Sequence, residues 1–195
     1  MNTNLTEIAC VLDRSGSMES IREDAIGGFN SFLDSQKKQP GDARLTLVLF
    51  DNEYLVSENS TPLARVKPLD TTTYVPRGST ALYDAIGRTI NEVGARLAAT
   101  PEPDRPGKVI VAILTDGQEN SSTEFTRETI AGMISHQQKA YSWEFVFLAA
   151  NQDAVTAAEA IAIKKADAFQ FAADKAGMVE AMCLMSSEVT RRRGR

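Results

Sequence analysis

Apolar positions fall in short blocks whose spacing switches between two periods. Ile8-Ala9-Cys10-Val11-Leu12 is an unbroken apolar run that ends in Asp13, and the run from Val109 to Leu114, ending in Thr115-Asp116, is longer still. Runs of this length with few polar residues on either face read as strands covered on both sides by helices. Residues 44–50, 143–149 and, more weakly, 168–171 read as further strands, and residues 54–57 as the return of a hairpin turned at Asp51-Asn52-Glu53. Between these blocks the period becomes helical. Met18, Ile21, Ala25, Phe29, Phe32 and Leu33 mark one amphipathic helix, and Leu82, Ala85, Ile86, Thr89, Ile90, Val93 and Leu97 mark another. Residues 126–139, 153–163 and 174–191 read as three more, the last with Ala176, Val179, Met182, Cys183 and Val189 turned inward. From Glu58 to Gly78 the periodicity is poor, which predicts a long crossing connection with a short strand or helical turn near Leu63 to Leu69.

Strand and helix alternating, with one early hairpin, predict an α/β fold: an open, mostly parallel sheet of about six strands with one antiparallel edge strand and helices on both faces. The 195 residues suit a single domain, with the basic tail 191–195 expected to be a frayed, solvated end. A 43% hydrophobic and 24% charged composition is ordinary for a globular protein, and a net charge of −5 argues against nucleic-acid binding. The two cysteines, Cys10 and Cys183, both sit in apolar patterns and are expected to be free and buried, as in a reducing compartment. Residues 1–7 show no signal-peptide pattern, and no run approaches the roughly 18 apolar residues of a membrane span, so a cytoplasmic location without membrane contact is expected.

The candidate chemistry lies at the carboxyl ends of the two strongest strands. Asp13-Arg14-Ser15-Gly16-Ser17 places a carboxylate and two hydroxyls on one tight turn. Such a set is hard and all-oxygen, suited to magnesium or manganese, although Ser15 or Ser17 serving as a helix cap explains the stretch equally well taken alone. Asp116 follows the other strand, and Thr80 opens the helix between them, so both can reach the same sheet edge. Two carboxylates and three hydroxyls, with water, could complete an octahedral shell.

Asp13-Arg14-Ser15-Gly16-Ser17-Met18, Gly78-Ser79-Thr80 and Leu114-Thr115-Asp116-Gly117 together resemble the von Willebrand factor type A domain and its metal-ion-dependent adhesion site. All three parts of that discontinuous motif are present, in order, with no departure at the five positions. The resemblance implies a Rossmann-like sheet and a Mg2+ or Mn2+ ion held by Asp13, Ser15, Ser17, Thr80 and Asp116. It has the three hydroxyls touching the metal, and the two carboxylates acting largely through water or by orienting the hydroxyls. It also implies a binding role, in which the ion takes an Asp or Glu side chain of a partner protein, and a last helix that shifts when the site engages. As a stand-alone domain the chain resembles bacterial or phage proteins of this type, and that resemblance implies assembly of complexes, for example with ATPases or stress-response partners.

Four further residues are candidates for the rim of the site. Asn120 and Ser121 follow Asp116 and could bond water or the partner, or serve only as turn and capping residues. Asp84 lies one helical turn after Thr80 and could orient a neighbour of the metal, or be exposed helix polarity. Asp51, at the hairpin turn, belongs at the same end of the sheet and fits a turn residue better than a ligand. The rival readings are a magnesium-dependent phosphoryl-transfer enzyme and a scaffold whose metal is only structural. Against the enzyme stand the lack of a Gly-rich phosphate loop, Ser15 where an aspartate-based phosphatase has its second Asp, and His136, the sole histidine, placed on a helix away from the strand ends.

Overall fold

A computed structural model describes residues 1–150 and 153–194 of the chain. Six strands form one sheet: β1 (Asn2–Asp13), β2 (Asp42–Phe50), β3 (Tyr54–Pro62), β4 (Pro106–Thr115), β5 (Glu144–Ala149) and β6 (Ala168–Gln170). The spatial order is β3-β2-β1-β4-β5-β6, with only the β2–β3 pair antiparallel. The helices are α1 (Arg22–Lys37), α2 (Leu82–Ala99), α3 (Arg127–Tyr141), α4 (Ala154–Ala160) and α5 (Lys175–Arg193). The predicted α/β class, the parallel sheet and the antiparallel edge are all present.

The two faces of β1 explain the layering. Ile8, Cys10 and Leu12 point into a core built with α1 and α5, while Ala9 and Val11 point into a second core built with α2, α3 and α4. Because successive strand side chains alternate faces, a strand buried on both sides must be apolar at nearly every position. The chain leaves β1 for β2 on one side and later returns to β4 on the other, so the strand order reverses between β1 and β4. Ligands of open α/β sheets bind in the crevice beyond the strands' carboxyl ends at such a reversal.

Several expectations need correction. β3 runs on to Pro62, well past Ser57, because an edge strand that is half exposed can be polar on both faces and carries no hydrophobic signal. The following helical turn covers only Leu63–Arg65. In α5 the buried face is Gly177, Met178, Ala181, Met182, Met185 and Val189, while Ala176, Val179 and Cys183 are exposed. Cys10 is buried as expected, but Cys183 is a free surface thiol.

Residues 191–193 of the basic tail are not frayed: α5 continues through Arg193, and Arg192 is buried among Glu144, Asp167 and Glu188. Arg195 lies outside the described residues. Among the described residues no helix is long and apolar enough to cross a membrane.

Candidate functional site

β1 and β4 are parallel and in register, Leu12 beside Leu114, so their last residues, Asp13 and Thr115, emerge side by side. Asp13 is fully buried. Its Oδ1 accepts the Ser15 N–H at 2.7 Å and its Oδ2 accepts the Thr115 hydroxyl at 2.6 Å. The backbone carbonyl of Asp13 accepts the Tyr74 hydroxyl. These three bonds fix the start of the β1–α1 turn.

Ser15 and Ser17 point their hydroxyls at each other, 3.1 Å apart, and the Ser17 hydroxyl donates to Asp116 Oδ1 at 2.6 Å. Ser15 occupies the N-cap position of the helical turn Gly16–Ile21, yet its side chain makes no capping bond. That removes the capping explanation for Ser15 and leaves its oxygen turned toward the other site oxygens.

Thr80 arrives from the far side. An atom placed as Cβ on Gly117 would lie 3.3 Å from Thr80 Oγ1 and 3.8 Å from Ser17 Oγ, so both hydroxyls press on one glycine of the β4 loop. The loop carrying Thr80 is tied to the β1 turn by two backbone bonds, Gly16 N to Gly78 O at 3.1 Å and Arg77 N to Arg14 O at 2.8 Å. Gly78 has φ +67, and a Cβ there would fall 2.0 Å from Asn52 Oδ1, so only glycine fits.

All five predicted ligands therefore converge. Asp13, Ser15, Thr80 and Asp116 are buried, and among the described residues no group of three His, Cys, Asp or Glu forms a metal cluster. Hydroxyls must supply part of any shell, and the oxygen-only donor set fits a hard divalent cation.

The rim candidates divide. Asn120 works as a clamp on Thr80: its Oδ1 accepts the Thr80 N–H at 2.9 Å and its own N–H donates to the Thr80 carbonyl at 3.0 Å. Ser121 donates its N–H to Glu119 Oε1, and its hydroxyl is buried with no hydrogen-bond partner among the described residues. Asp84 is buried, so it is not exposed helix polarity. Its carboxylate accepts the N–H groups of Thr123, Glu124 and Phe125 and pins the β4–α3 loop to α2.

Asp51 is not at the rim either. Its carboxylate is 0% exposed, 3.1 Å from Arg14 Nε and 2.9 Å from Arg77 Nε, and its carbonyl accepts the Ala81 N–H. It knots the hairpin to the loops that carry Ser15 and Thr80 from beneath.

Four further residues that no sequence pattern marks support the site: Thr115, Tyr74, Arg14 and Glu119. Thr115 is placed beside Asp13 by the parallel register of β1 and β4. Glu119 accepts the Tyr83 N–H at 2.9 Å, which caps α2 in place of a residue of its own, as Ala81 cannot. Tyr74 comes from the long connection, where no periodicity flags it.

Burial pushes the Asp13 carboxyl up to about 6, against the pull of the Thr115 and Ser15 hydrogen bonds and with the help of the nearby Asp116 charge. Burial also raises Asp116, opposed by the Ser17 hydroxyl. A carboxyl whose folded pKa lies above its unfolded value stabilises the fold below the unfolded pKa, and that contribution is lost as pH rises through about 6. In metal-free protein, the Asp13 charge should therefore weaken the fold by up to roughly 3 kcal/mol near neutrality. Denaturant melts of wild type and Asp13→Asn in EDTA check this: the variant's relative stability should grow from about pH 5 to about pH 7. A gap that stays constant over that range would contradict the assignment.

No protein-family model and no curated protein sequence matches the chain. Solved structures do. The von Willebrand factor domain of the type V pili tip protein Mfa5 from Porphyromonas gingivalis aligns with TM-score 0.67 at 11% identity, covering 100% of this chain and 98% of that one. Proximal thread matrix protein 1 from the mussel byssus, solved with a zinc-occupied MIDAS motif, aligns with TM-score 0.65 at 17% identity over 95% of this chain. BatB from Bacteroides thetaiotaomicron aligns with TM-score 0.60 at 13% identity, covering 97% and 100% of the two chains. This chain spans about half the length of the byssus protein, 46% of it. The fold is that of the von Willebrand factor type A domain.

Proposed function

We propose that this type A fold is a metal-dependent protein-binding module, in which a Mg2+ or Mn2+ ion bridges the five converged side chains to an Asp or Glu of a partner protein. The observation that carries the reading is the hydroxyl-rich set itself: Ser15, Ser17 and Thr80 gathered around two buried carboxylates. Neutral hydroxyl ligands leave much of a divalent charge uncompensated, so the open position of the ion attracts an anionic oxygen. Asp13 and Asp116 are occupied in orienting donors, through the Ser15 N–H and Thr115 hydroxyl for one and the Ser17 hydroxyl for the other.

Binding rather than turnover fits the surroundings. His136 lies on α3 with its ring edge-on to Tyr141, 5.6 Å between centroids, and takes no part in the site. The byssus protein with a metal in its motif supports a divalent ion here as well; the oxygen donors favour magnesium or manganese over zinc.

Affinity capture in magnesium, in EDTA and with Asp13→Ala as bait tests the module. A partner retained only by wild type in magnesium, and released when one of its own acidic residues is changed to Asn or Gln, supports it. A partner held equally well in EDTA contradicts it, and magnesium-dependent hydrolysis of a phosphate ester would favour an enzyme instead.

A further inference from the structure

We propose that Asp84 is a positioning residue that sets which ion the site takes: it holds Thr80 and Asp116 at a fixed spacing, so that magnesium is preferred to calcium. The inference rests on the metal-binding reading above. Thr80 and Asp116 reach the site on separate segments, one just before α2 and the other just after β4. What fixes one against the other is an exchange of hydrogen bonds between the start of α2 and the β4–α3 loop.

Neither segment satisfies its own backbone. α2 has Ala81 at its N-cap, with no side-chain capping bond. The loop takes its orphan donors instead: the Tyr83 N–H donates to Glu119 Oε2 at 2.9 Å, and the Asp84 N–H to Ser122 Oγ at 3.0 Å. In return the loop gives three consecutive N–H groups to α2. Asp84 Oδ2 accepts from Thr123 at 2.9 Å, and its Oδ1 accepts from Glu124 at 3.0 Å and Phe125 at 2.9 Å. The paired Thr80–Asn120 bonds complete a stitch between residues 80–84 and 119–125. One carboxylate, on a residue only 8% exposed, carries three of its bonds. The Phe125 ring then closes on Gly87, where an added Cβ would fall 2.7 Å from the ring carbons.

The stitch begins at the site. Asp116 stands four residues before Asn120, and Thr80 four residues before Asp84, so slack in it passes to the gap between Thr80 and Asp116. The other three candidate ligands sit on the β1–α1 turn, which the Thr115 and Tyr74 hydroxyls hold separately. Loosening Asp84 therefore opens one gap and leaves the other half of the site intact. Magnesium demands near-ideal octahedral geometry, whereas calcium takes a larger and more flexible oxygen shell. Slack of this kind penalises the small ion more than the large one.

Free Mn2+ measured by electron paramagnetic resonance, with Mg2+ or Ca2+ added as competitor, reads both affinities in the full chain. Asp84→Ala should lower the Mg2+ affinity by about tenfold or more, the usual effect of losing a residue that orients ligands. Its Ca2+ affinity should fall by a much smaller factor, so the magnesium-to-calcium ratio drops. Asp84→Asn, which keeps one acceptor oxygen, should recover part of the ratio. Gly87→Ala pushes Phe125 outward with the Asp84 carboxylate intact and should lower the ratio by a different route. These two variants carry the test where Asp84→Ala does not fold. Hydrogen exchange in EDTA should quicken at residues 123–125 of Asp84→Ala, a reading that needs no metal. Arg192→Ala, destabilised at the opposite end of the sheet, should keep the wild-type ratio. Equal losses for the two ions overturn the proposal, because Asp84 would then support the fold alone. An unchanged ratio in the Asp84 and Gly87 variants, beside an Asp13→Ala that binds no Mn2+, overturns it and leaves the metal reading standing. Wild type that binds no Mn2+ overturns both.

Discussion

Saturating magnesium should raise the melting temperature by roughly 5–10 °C, and Asp13→Ala or Asp116→Ala should abolish the rise. Binding at about a hundredfold excess over Kd contributes about 2.7 kcal/mol to the folded state, and a domain of this size gains roughly 2–4 °C per kcal/mol. Two buried carboxylates, both raised by desolvation, await a cation. The same reasoning gives a less intuitive companion result: without metal, Asp13→Asn should melt at or above wild type. It keeps an acceptor for the Ser15 N–H and removes a buried charge. A thermal-shift series in magnesium, manganese and EDTA reads all of this. Equal shifts for wild type and the alanine variants would mean that the metal binds elsewhere.

Arg192→Ala should destabilise the fold by about 3 kcal/mol, a fall of roughly 6–12 °C, without changing metal affinity. Arg192 is 1% exposed and meets Glu144 at 3.2 Å together with Asp167 and Glu188. Removing it strands Glu144 and Asp167, which are themselves partly exposed, while Glu188 keeps its pair with Arg191, and this holds the loss to the lower part of the range for buried ion pairs. Lysine should rescue only in part, since a single ammonium cannot reproduce a guanidinium fork. Glu144 begins β5, so this cluster sits at the end of the sheet opposite the loops that carry Asp13 and Asp116. Arg193 adds a bond of 2.8 Å to the Gln36 carbonyl, tying the end of α5 to α1. Any shift of α5 on partner binding has to break this anchorage, so hydrogen exchange at the end of α5 should stay slow when the site engages. Calorimetric melts with a magnesium titration separate the stability effect from the site; a loss of metal affinity in Arg192→Ala would contradict the separation.

The convergence of the five candidate residues was legible because their spacing, D-x-S-x-S, a helix-opening Thr and a strand-ending Asp, is set by local turn geometry on well-patterned elements. The parallel sheet was legible for a related reason: strands buried on both faces, such as β4, leave no polar positions. What could not be read arises from the packing of distant segments. Asp51 and Asp84 are polar residues at turn and helix positions, where exposure is the usual state, and each is instead buried by partners 26 to 41 residues away. The Arg192 cluster draws on β5, the turn before β6 and α5 together, and three consecutive arginines at a chain end otherwise suggest solvent. The phase of α5 is ambiguous in the sequence because apolar residues lie on both its faces: Met178, Met182 and Met185 face the core, and Val179 and Cys183 are exposed.

An ion at the ends of β1 and β4, as proposed, would keep one position open to a partner's carboxylate. Water proton relaxation with Mn2+ tests it most directly, because enhancement requires both a protein-bound ion and exchanging water on that ion. Wild type should give enhancement and Asp13→Ala none, and the wild-type signal should fall when a Glu-containing partner segment is added and takes the water's place. Bound Mn2+ whose relaxation does not respond to that carboxylate would mean a closed, purely structural metal and rule out the bridging role.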